Sequence, residues 1–341
     1  MNNSRHSILS LALLALAVAC FILDIAAGSV KIPLMDSINA LTGGSASKET
    51  WNYIILNYRL PKALTAVLAG TGLSVCGLLM QTLFRNPLAG PYVLGLSSGA
   101  SLGVAFVVLG LSFLPSGIAV IFQSGYTLVA ASCIGSILVL ACVLIVAQRL
   151  RDTMGILIVG LMFASFTSAM VSVLTYFSTA EQLQRFTMWS LGSLGNLSWD
   201  SVAVLAVAVG IGLLICLFTI KPLNALLLGE NYAQSLGINI KQTRILIMAA
   251  TGLLAGSITA FAGPIAFIGL AVPHIARLIF KTSDHRILLI ATILCGAIIM
   301  LLCDALSQVP GSDITLPINA VTSLFGAPVV IWLLLRQTKK I

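Results

Sequence analysis

Side chains able to move a proton, attack a carbon or hold a metal are few in this sequence, and they sit at the edges of its apolar runs. Asp24 and Asp304 fall near one end of their runs; His6, His274 and His285 fall near the other. Ionisable groups inside membrane segments mark ion pathways by default, and transition metals need clustered imidazole, thiolate or carboxylate ligands. The middle of the runs has neither, which disfavours a proton-coupled antiporter and a metal-ion pore. Asp24 and Asp304 are expected to cap or anchor helices. The seven cysteines (Cys20, Cys76, Cys133, Cys142, Cys216, Cys295 and Cys303) form no C-x-x-C pair and all lie in apolar stretches. They read as small buried residues, and no disulfide or metal role is expected. No convergent nucleophile–base set suits a membrane-embedded enzyme. No G-x-x-x-x-G-K-S/T phosphate loop occurs either, so the chain does not hydrolyse nucleotide by that route.

The runs do carry hydroxyls and small residues. Ser165, Ser168, Ser172 and Thr175 recur at i, i+3, i+7 and i+10, one face of a helix. Such a stripe either lines a wet, uncharged path for a bulky solute or turns its hydroxyls back onto its own helix carbonyls. Gly95, Gly99 and Gly103 repeat at four-residue spacing, as do Gly252 and Gly256. Small residues so spaced let helix backbones approach closely, for tight packing or for sliding during gating.

These residues must be held by elements that the composition identifies. Of the 341 residues, 59% are hydrophobic and 8% charged, with a mean hydropathy of +1.08. Soluble domains carry roughly a quarter charged residues, so a soluble enzyme and a disordered chain are excluded. The cations stand singly between apolar runs, which excludes a nucleic-acid-binding face. Continuous apolar runs also exclude a transmembrane barrel, whose strands alternate. The runs cover about 8–30, 63–84, 92–112, 118–148, 154–177, 200–220, 244–262, 265–280, 286–306 and 317–335. They predict an all-α polytopic membrane protein with about ten crossings, forming a single bilayer domain over 1–341. The first run follows Arg5 and His6 and passes a weak lipoprotein-like site at Ala17-Val18-Ala19-Cys20. It is long enough to read as an uncleaved helix. In the eighth, Pro273 and His274 read as a structural break.

The formal charge of +8 informs topology. With both termini in the cytoplasm, only Lys31, Lys48, Arg59, Lys62 and Arg185 of the 18 Lys and Arg lie outside, as the positive-inside rule requires. External loops are then expected over about 31–61 and 178–199. Thr71-Gly72-Leu73 echoes Thr251-Gly252-Leu253 on oppositely directed helices, which would suit an inverted repeat. The longest inner segment covers 221–237. Asn224 is a plausible N-cap and Gly237 a plausible terminator of a short helix bearing Leu226, Leu227, Tyr232 and Leu236. Exposed apolar residues there suggest a docking surface or a helix lying on the membrane face.

Several motifs occur in order. Arg59-Leu60-Pro61-Lys62 precedes Gln81-x-x-x-x-Asn86-Pro87-Leu88-Ala89-x-Pro91-x-x-Leu94-Gly95-x-Ser97-x-Gly99-Ala100. Leu228-Gly229-Glu230, Ala233 and Leu236-Gly237 come next. Then follow Gly263-x-Ile265-x-Phe267-Ile268-Gly269-Leu270-x-x-Pro273-His274-x-x-Arg277 and Leu316-Pro317-x-x-x-Val321-Thr322-x-x-x-Gly326-Ala327-Pro328. Over nearly its whole length the chain resembles the FecCD-type permease family of ABC importers for iron-siderophores, haem and cobalamin. The resemblance implies the type II ABC importer permease architecture, with ten helices per subunit in the cytoplasmic (inner) membrane of a bacterium. It also implies a second permease subunit, in a homodimer or pseudo-dimer around a central pathway, two ATPase subunits that carry ATP and magnesium, and a substrate-binding protein docking from outside. The chain itself would be no enzyme and hold no cofactor.

Carried onto this sequence, the resemblance makes 224–237 the coupling helix that enters the ATPase, through Leu226, Leu227, Gly229, Glu230, Ala233, Leu236 and Gly237. Arg59 and Lys62 match external basic positions that pair with the binding protein, and Thr153 and Met154 match an inner gate. Lys stands at 62 where Arg is more usual, Gln308 where some members carry a third external Arg, Thr315 for a frequent Glu and Asn319 for a frequent Gly. Selectivity is expected to reside in the binding protein. The alternative is an ATPase-independent secondary transporter or channel.

Overall fold

The computed structural model describes residues 2–110, 125–150, 153–195, 197–308 and 315–338. Its helices are α1 (Asn2–Ala26), α2 (Leu34–Leu41), α3 (Glu49–Ile54), α4 (Leu60–Leu83), α5 (Leu96–Val108), α6 (Gly125–Ala147) and α7 (Thr153–Tyr176). They continue with α8 (Ala180–Ser190), α9 (Trp199–Leu226), α10 (Glu230–Ser235), α11 (Ile240–Ala262), α12 (Ile268–Phe280), α13 (His285–Ser307) and α14 (Ile318–Thr338). Among the described residues the only β pairing is one isolated bridge between Gln308 and Thr315. The protein is an all-α polytopic membrane protein. Seven helical stretches in the described residues are long and apolar enough to cross a bilayer, and α5, α12 and the apolar part of α14 are shorter apolar helices.

Several boundaries differ from those expected. The run over 92–112 does not form one helix. A short 3-10 turn at Pro91–Leu94 ends on Gly95 in the left-handed conformation (φ 73°), and α5 starts only at Leu96. Proline opens a helical turn readily, and glycine supplies the positive φ that stops it. The loop expected over 31–61 contains α2 and α3, and α3 runs through a π turn (Ile55–Arg59) directly into α4. Residues 118–124 of the fourth run lie outside the described residues. Pro273, expected to break its helix, sits inside a continuous α12. Its ring removes the donor that would serve the Gly269 carbonyl one turn earlier, and α4 fills that space. A Cβ on Gly77 would overlap the Gly269 carbonyl oxygen.

The chain forms two compact units. One comprises Met1–Leu78, Ser193–Val207 and Ile265–Ile341; the other comprises Leu79–Gly192 and Ala208–Pro264. In the first, α1 packs along α13, and α13 packs on α12 and α14. Gly70 and Gly296 meet backbone to backbone, and Ser74 donates across the same contact to the Thr292 carbonyl at 3.1 Å. The π turn lies against this unit's middle segment, where Trp199 Nε1 donates to the Leu56 carbonyl at 3.1 Å. In the second unit α5 packs against α6 and α7, and α6 against α11. The glycine spacing read from the sequence does its packing here: a Cβ on Gly99 would come within 2.6 Å of the Gly135 oxygen, and one on Gly103 would overlap the Ala131 carbonyl. Elsewhere, local caps set the helix starts. Thr179 and Gln182 close a capping box at α8, Asn239 accepts from Gln242 N–H at α11, and Asp284 accepts from Arg286 N–H at α13.

Between α2 and α3, one carboxylate orders the loop. Asp36 accepts from both the amide (2.8 Å) and the hydroxyl (2.7 Å) of Ser47. These two bonds, the hydroxyl's first, hold the Asp36 carboxyl below its usual range. A depressed native value means stability that is present above the unfolded-state pKa and lost as pH falls through the native one. Acidification below about pH 4, the ordinary aspartate value, is therefore expected to release Ser47. The protection of the Ser47 amide, measured as its exchange rate relative to the intrinsic rate at each pH, should fall there, whereas Asp36→Ala should leave it low at all pH values.

Candidate functional site

The segment expected to be one coupling helix over 224–237 has a different construction. Asn224 lies inside α9, not at an N-cap, because α9 runs on to Leu226 through Pro222. A tight turn follows, in which Leu228 N–H bonds to the Ala225 carbonyl and Gly229 N–H to the Leu226 carbonyl, at 3.0 and 3.1 Å. Gly229 has φ 121° and ψ 150°, a conformation essentially restricted to glycine. It turns the chain into α10, which is only six residues long. Gly237 ends α10 as expected. Its N–H bonds to the Gln234 carbonyl and that of Ile238 to the Ala233 carbonyl, at 2.9 and 3.1 Å, with φ 81° at Gly237. These are the paired bonds of a Schellman cap.

The site residues divide by burial. Leu226 and Ala233 are buried with Ala225 and Ile240, and Ile238 packs on them. Leu227, Leu228, Tyr232 and Leu236 point outward, 48%, 67%, 51% and 58% exposed. Glu230 is tied to the next helix, accepting from Arg244 Nη2 at 2.8 and 3.0 Å. An apolar base therefore fixes a turn and a short helix that display four large apolar side chains. The sequence reading did not find Arg244, which lies on α11 with no local pattern linking it to Glu230. It did not find Arg85 either; its Nη2 donates to the Leu226 carbonyl at 3.0 Å. Met154, expected at a gate, is 53% exposed and borders an open cleft of about 710 Å³ with Leu83, Arg85, Leu228 and Tyr232. Thr153 is the first residue of α7.

In the first unit, the two cations expected to face a docking partner are engaged by their own chain. The Arg59 guanidinium donates through Nη1 to the Ile25 and Ala26 carbonyls, at 2.8 and 2.9 Å, and through Nη2 to the Val30 carbonyl. It is 9% exposed. Ile25 and Ala26 close α1, and terminal carbonyls lack helical donors, so Arg59 serves as that helix's C-terminal cap. Lys62 Nζ lies 3.1 Å from Asp304 Oδ1, with its side chain 19% exposed and that of Asp304 2%. Gln308 Nε2 stands at long hydrogen-bond reach of both carboxyls, 3.5 Å from Asp24 Oδ1 and 3.4 Å from Asp304 Oδ2. Asp24 and Asp304 thus meet in one buried cluster with Lys62; they do not cap separate helix ends.

The hydroxyl stripe is realised on α7, with Ser165, Ser168 and Ser172 exposed and Thr175 half-buried. Ser165 and Ser172 donate one turn back, to the Leu161 and Ser168 carbonyls at 3.0 Å each. Of the motif residues, Gln81 is buried, and Asn86 Oδ1 accepts from Leu88 N–H at 2.9 Å across Pro87. His274 and Arg277 are half-buried on α12. Among the described residues no group of three or more His, Cys, Asp or Glu is placed to hold a metal.

Comparison with known proteins matches this arrangement. The model of the FecCD transport family matches residues 15–336. The chain is 35% identical over 318 residues to the haemin transport system permease protein HmuU of Yersinia pestis, covering 93% of each chain. It is 38% identical over 282 residues to the vitamin B12 import system permease protein BtuC of Citrobacter koseri, covering 82% of each. Its fold superposes on a solved chain from an ABC transporter of metal-chelate type, captured inward-facing, with a TM-score of 0.84 and 28% identity over 97% of this chain and 99% of that one. The family match over residues 15–336 and identity at this level along nearly the full length settle the assignment: the chain belongs to the FecCD transport family, a family of transport permeases.

Proposed function

We propose that this chain is the membrane-spanning permease subunit of an ABC importer. It moves an iron chelate (a siderophore complex or haem) or a corrinoid such as cobalamin from periplasm to cytoplasm by alternating access. Two permease subunits flank the path, two ATPase subunits bind ATP and magnesium on the cytoplasmic side, and a substrate-binding protein delivers the solute from outside. The chain performs no chemistry on its cargo and carries no cofactor of its own. Both termini face the cytoplasm. The relatives named for haemin and vitamin B12 support the substrate class.

The observation that carries this reading is the rigidly based apolar display after α9. Leu227, Leu228, Tyr232 and Leu236 are held outward by a buried base and an ion pair, and large exposed apolar patches mark interaction sites. In this reading the exposed apolar sides of α1, α7 and α9, whose spanning windows are 17–28% buried, face lipid or the second subunit. The hydroxyls on α7 then face the path between subunits. Arg59 contributes to external docking only by shaping residues 25–30, and of the two cations Lys62 keeps the more accessible surface.

Reconstitution tests the proposal. With its substrate-binding protein outside and ATP supplied inside, vesicles holding the chain and its ATPase should accumulate the substrate, and vesicles holding the chain alone should not. Accumulation by the chain alone would establish the secondary-transporter reading instead. Leu227→Asp removes an apolar contact worth about 2 kcal/mol and adds a charge that must be desolvated. Co-purification of the ATPase is expected to fall more than about tenfold, with the permease still folded. Undiminished assembly would refute the docking role.

A further inference from the structure

Arg85 occupies a backbone position that favours glycine. At the end of α4, Asn86 N–H bonds to the Gln81 carbonyl and Arg85 N–H to the Thr82 carbonyl, at 3.2 and 3.3 Å. Arg85 therefore stands at the left-handed position of a Schellman cap, with φ 48°. The cap that ends α10 uses Gly237 at the equivalent place. A side chain in this conformation carries a steric cost that glycine avoids, so the arginine calls for a reason beyond ending α4.

Its guanidinium supplies one. Nη2 reaches the carbonyl of Leu226, the last residue of α9, at 3.0 Å. That carbonyl already accepts from Gly229 N–H at 3.1 Å, so the arginine joins the bond that closes the turn. A Cβ on Gly229 would lie 3.6 Å from the same nitrogen. Cation and helix C-terminus are also electrostatically matched. The backbone of Arg85 is meanwhile fixed by the α4 cap on one side and by the Asn86–Leu88 turn on the other. A shift at the end of α4 is thus handed to the turn that presents Leu227 and Leu228, across the cleft bordered by Leu83, Arg85, Met154 and Tyr232.

We propose that Arg85 is a positioning residue of the ATPase-facing surface, a strut that holds the 227–236 turn and helix in register with α4. The proposal rests on the reading of those residues as the ATPase contact. Arg85→Gly separates this role from simple folding, because glycine accepts the left-handed conformation. The variant should be at least as thermally stable as the parent, yet amide exchange over 227–238 should quicken. Substrate moved per ATP hydrolysed by the complete complex in proteoliposomes should fall about tenfold, the equilibrium worth of one charge-assisted hydrogen bond. Arg85→Lys keeps a donor and should restore most of the ratio. Arg85→Gly with unchanged coupling, or with unchanged exchange over 227–238, would overturn the strut. Loss of stability in Arg85→Gly that lysine does not rescue would overturn it in favour of a folding role. Leu227→Asp run in parallel separates the two ideas. If that variant assembles and transports normally, the ATPase reading falls and the strut with it; if it fails to assemble while Arg85→Gly couples normally, only the strut falls.

Discussion

Lys62→Met is expected to destabilise the protein by about 3–5 kcal/mol, because it leaves a buried carboxyl without its cation. Lys62 provides the ammonium 3.1 Å from Asp304. Asp304 is 1% exposed, Asp24 3%, and Gln308 reaches both only at 3.4–3.5 Å. Arg59 cannot move in as a substitute without abandoning the carbonyls at the end of α1 that it caps. Methionine preserves most of the apolar stem, so the change isolates the charge. The double variant Lys62→Met with Asp304→Leu removes both partners, and replacing a buried pair by apolar groups is often neutral. It should therefore recover part of the loss, since Asp24 stays buried in the same cluster. Unfolding in a denaturing detergent titration measures all three variants. An additive double variant, or a single variant within about 1 kcal/mol of the parent, the range of an exposed ion pair, would show that the pair is not a buried one.

Gly77→Ala is expected to cost about 3 kcal/mol, the upper range for overpacking, although it adds one methyl group. The added Cβ would overlap the carbonyl oxygen and backbone of Gly269. No flexible side chain is there to yield, so α4 and α12 must separate along their contact. The same substitution at Gly210, inside α9, meets nothing within 4 Å. There alanine's better helix propensity should stabilise by about 0.5–1 kcal/mol. The two variants share one chemical change and differ only in what faces it. Equal unfolding free energies for the pair would refute the close approach of α4 and α12.

The site was legible in part, and the divisions have physical causes. Gly237 could be read as a helix terminator because a left-handed cap is a local requirement. Asn224 looked like an N-cap by the same local logic and was not one. Propensity at a single residue yields to a long apolar helix already under way, and α9 continues past it to Leu226. Pro273 was expected to break its helix, but its missing donor is accommodated where Gly77 brings α4 onto the Gly269 carbonyl. Leu227, Tyr232 and Leu236 are outward as their apolar pattern suggests, whereas Leu226, expected with them, is buried and Leu228 is outward in its stead. The supports of this segment, Arg85 and Arg244, were not anticipated, since they lie 141 and 14 residues from the groups they hold.

That this chain is helical and lies in a bilayer can be read from its residues in one dimension, because apolar length and the scarcity of charge act through the solvent and need no partner. Its ordered motifs also determined the family. Which cations are available follows from packing alone. Arg59 and Lys62 stand three residues apart beside a loop and look alike in one dimension, yet one caps α1 and the other meets Asp304. Burial and pairing depend on what the rest of the chain brings within a few ångströms of each group, and that depends on packing between residues far apart in sequence.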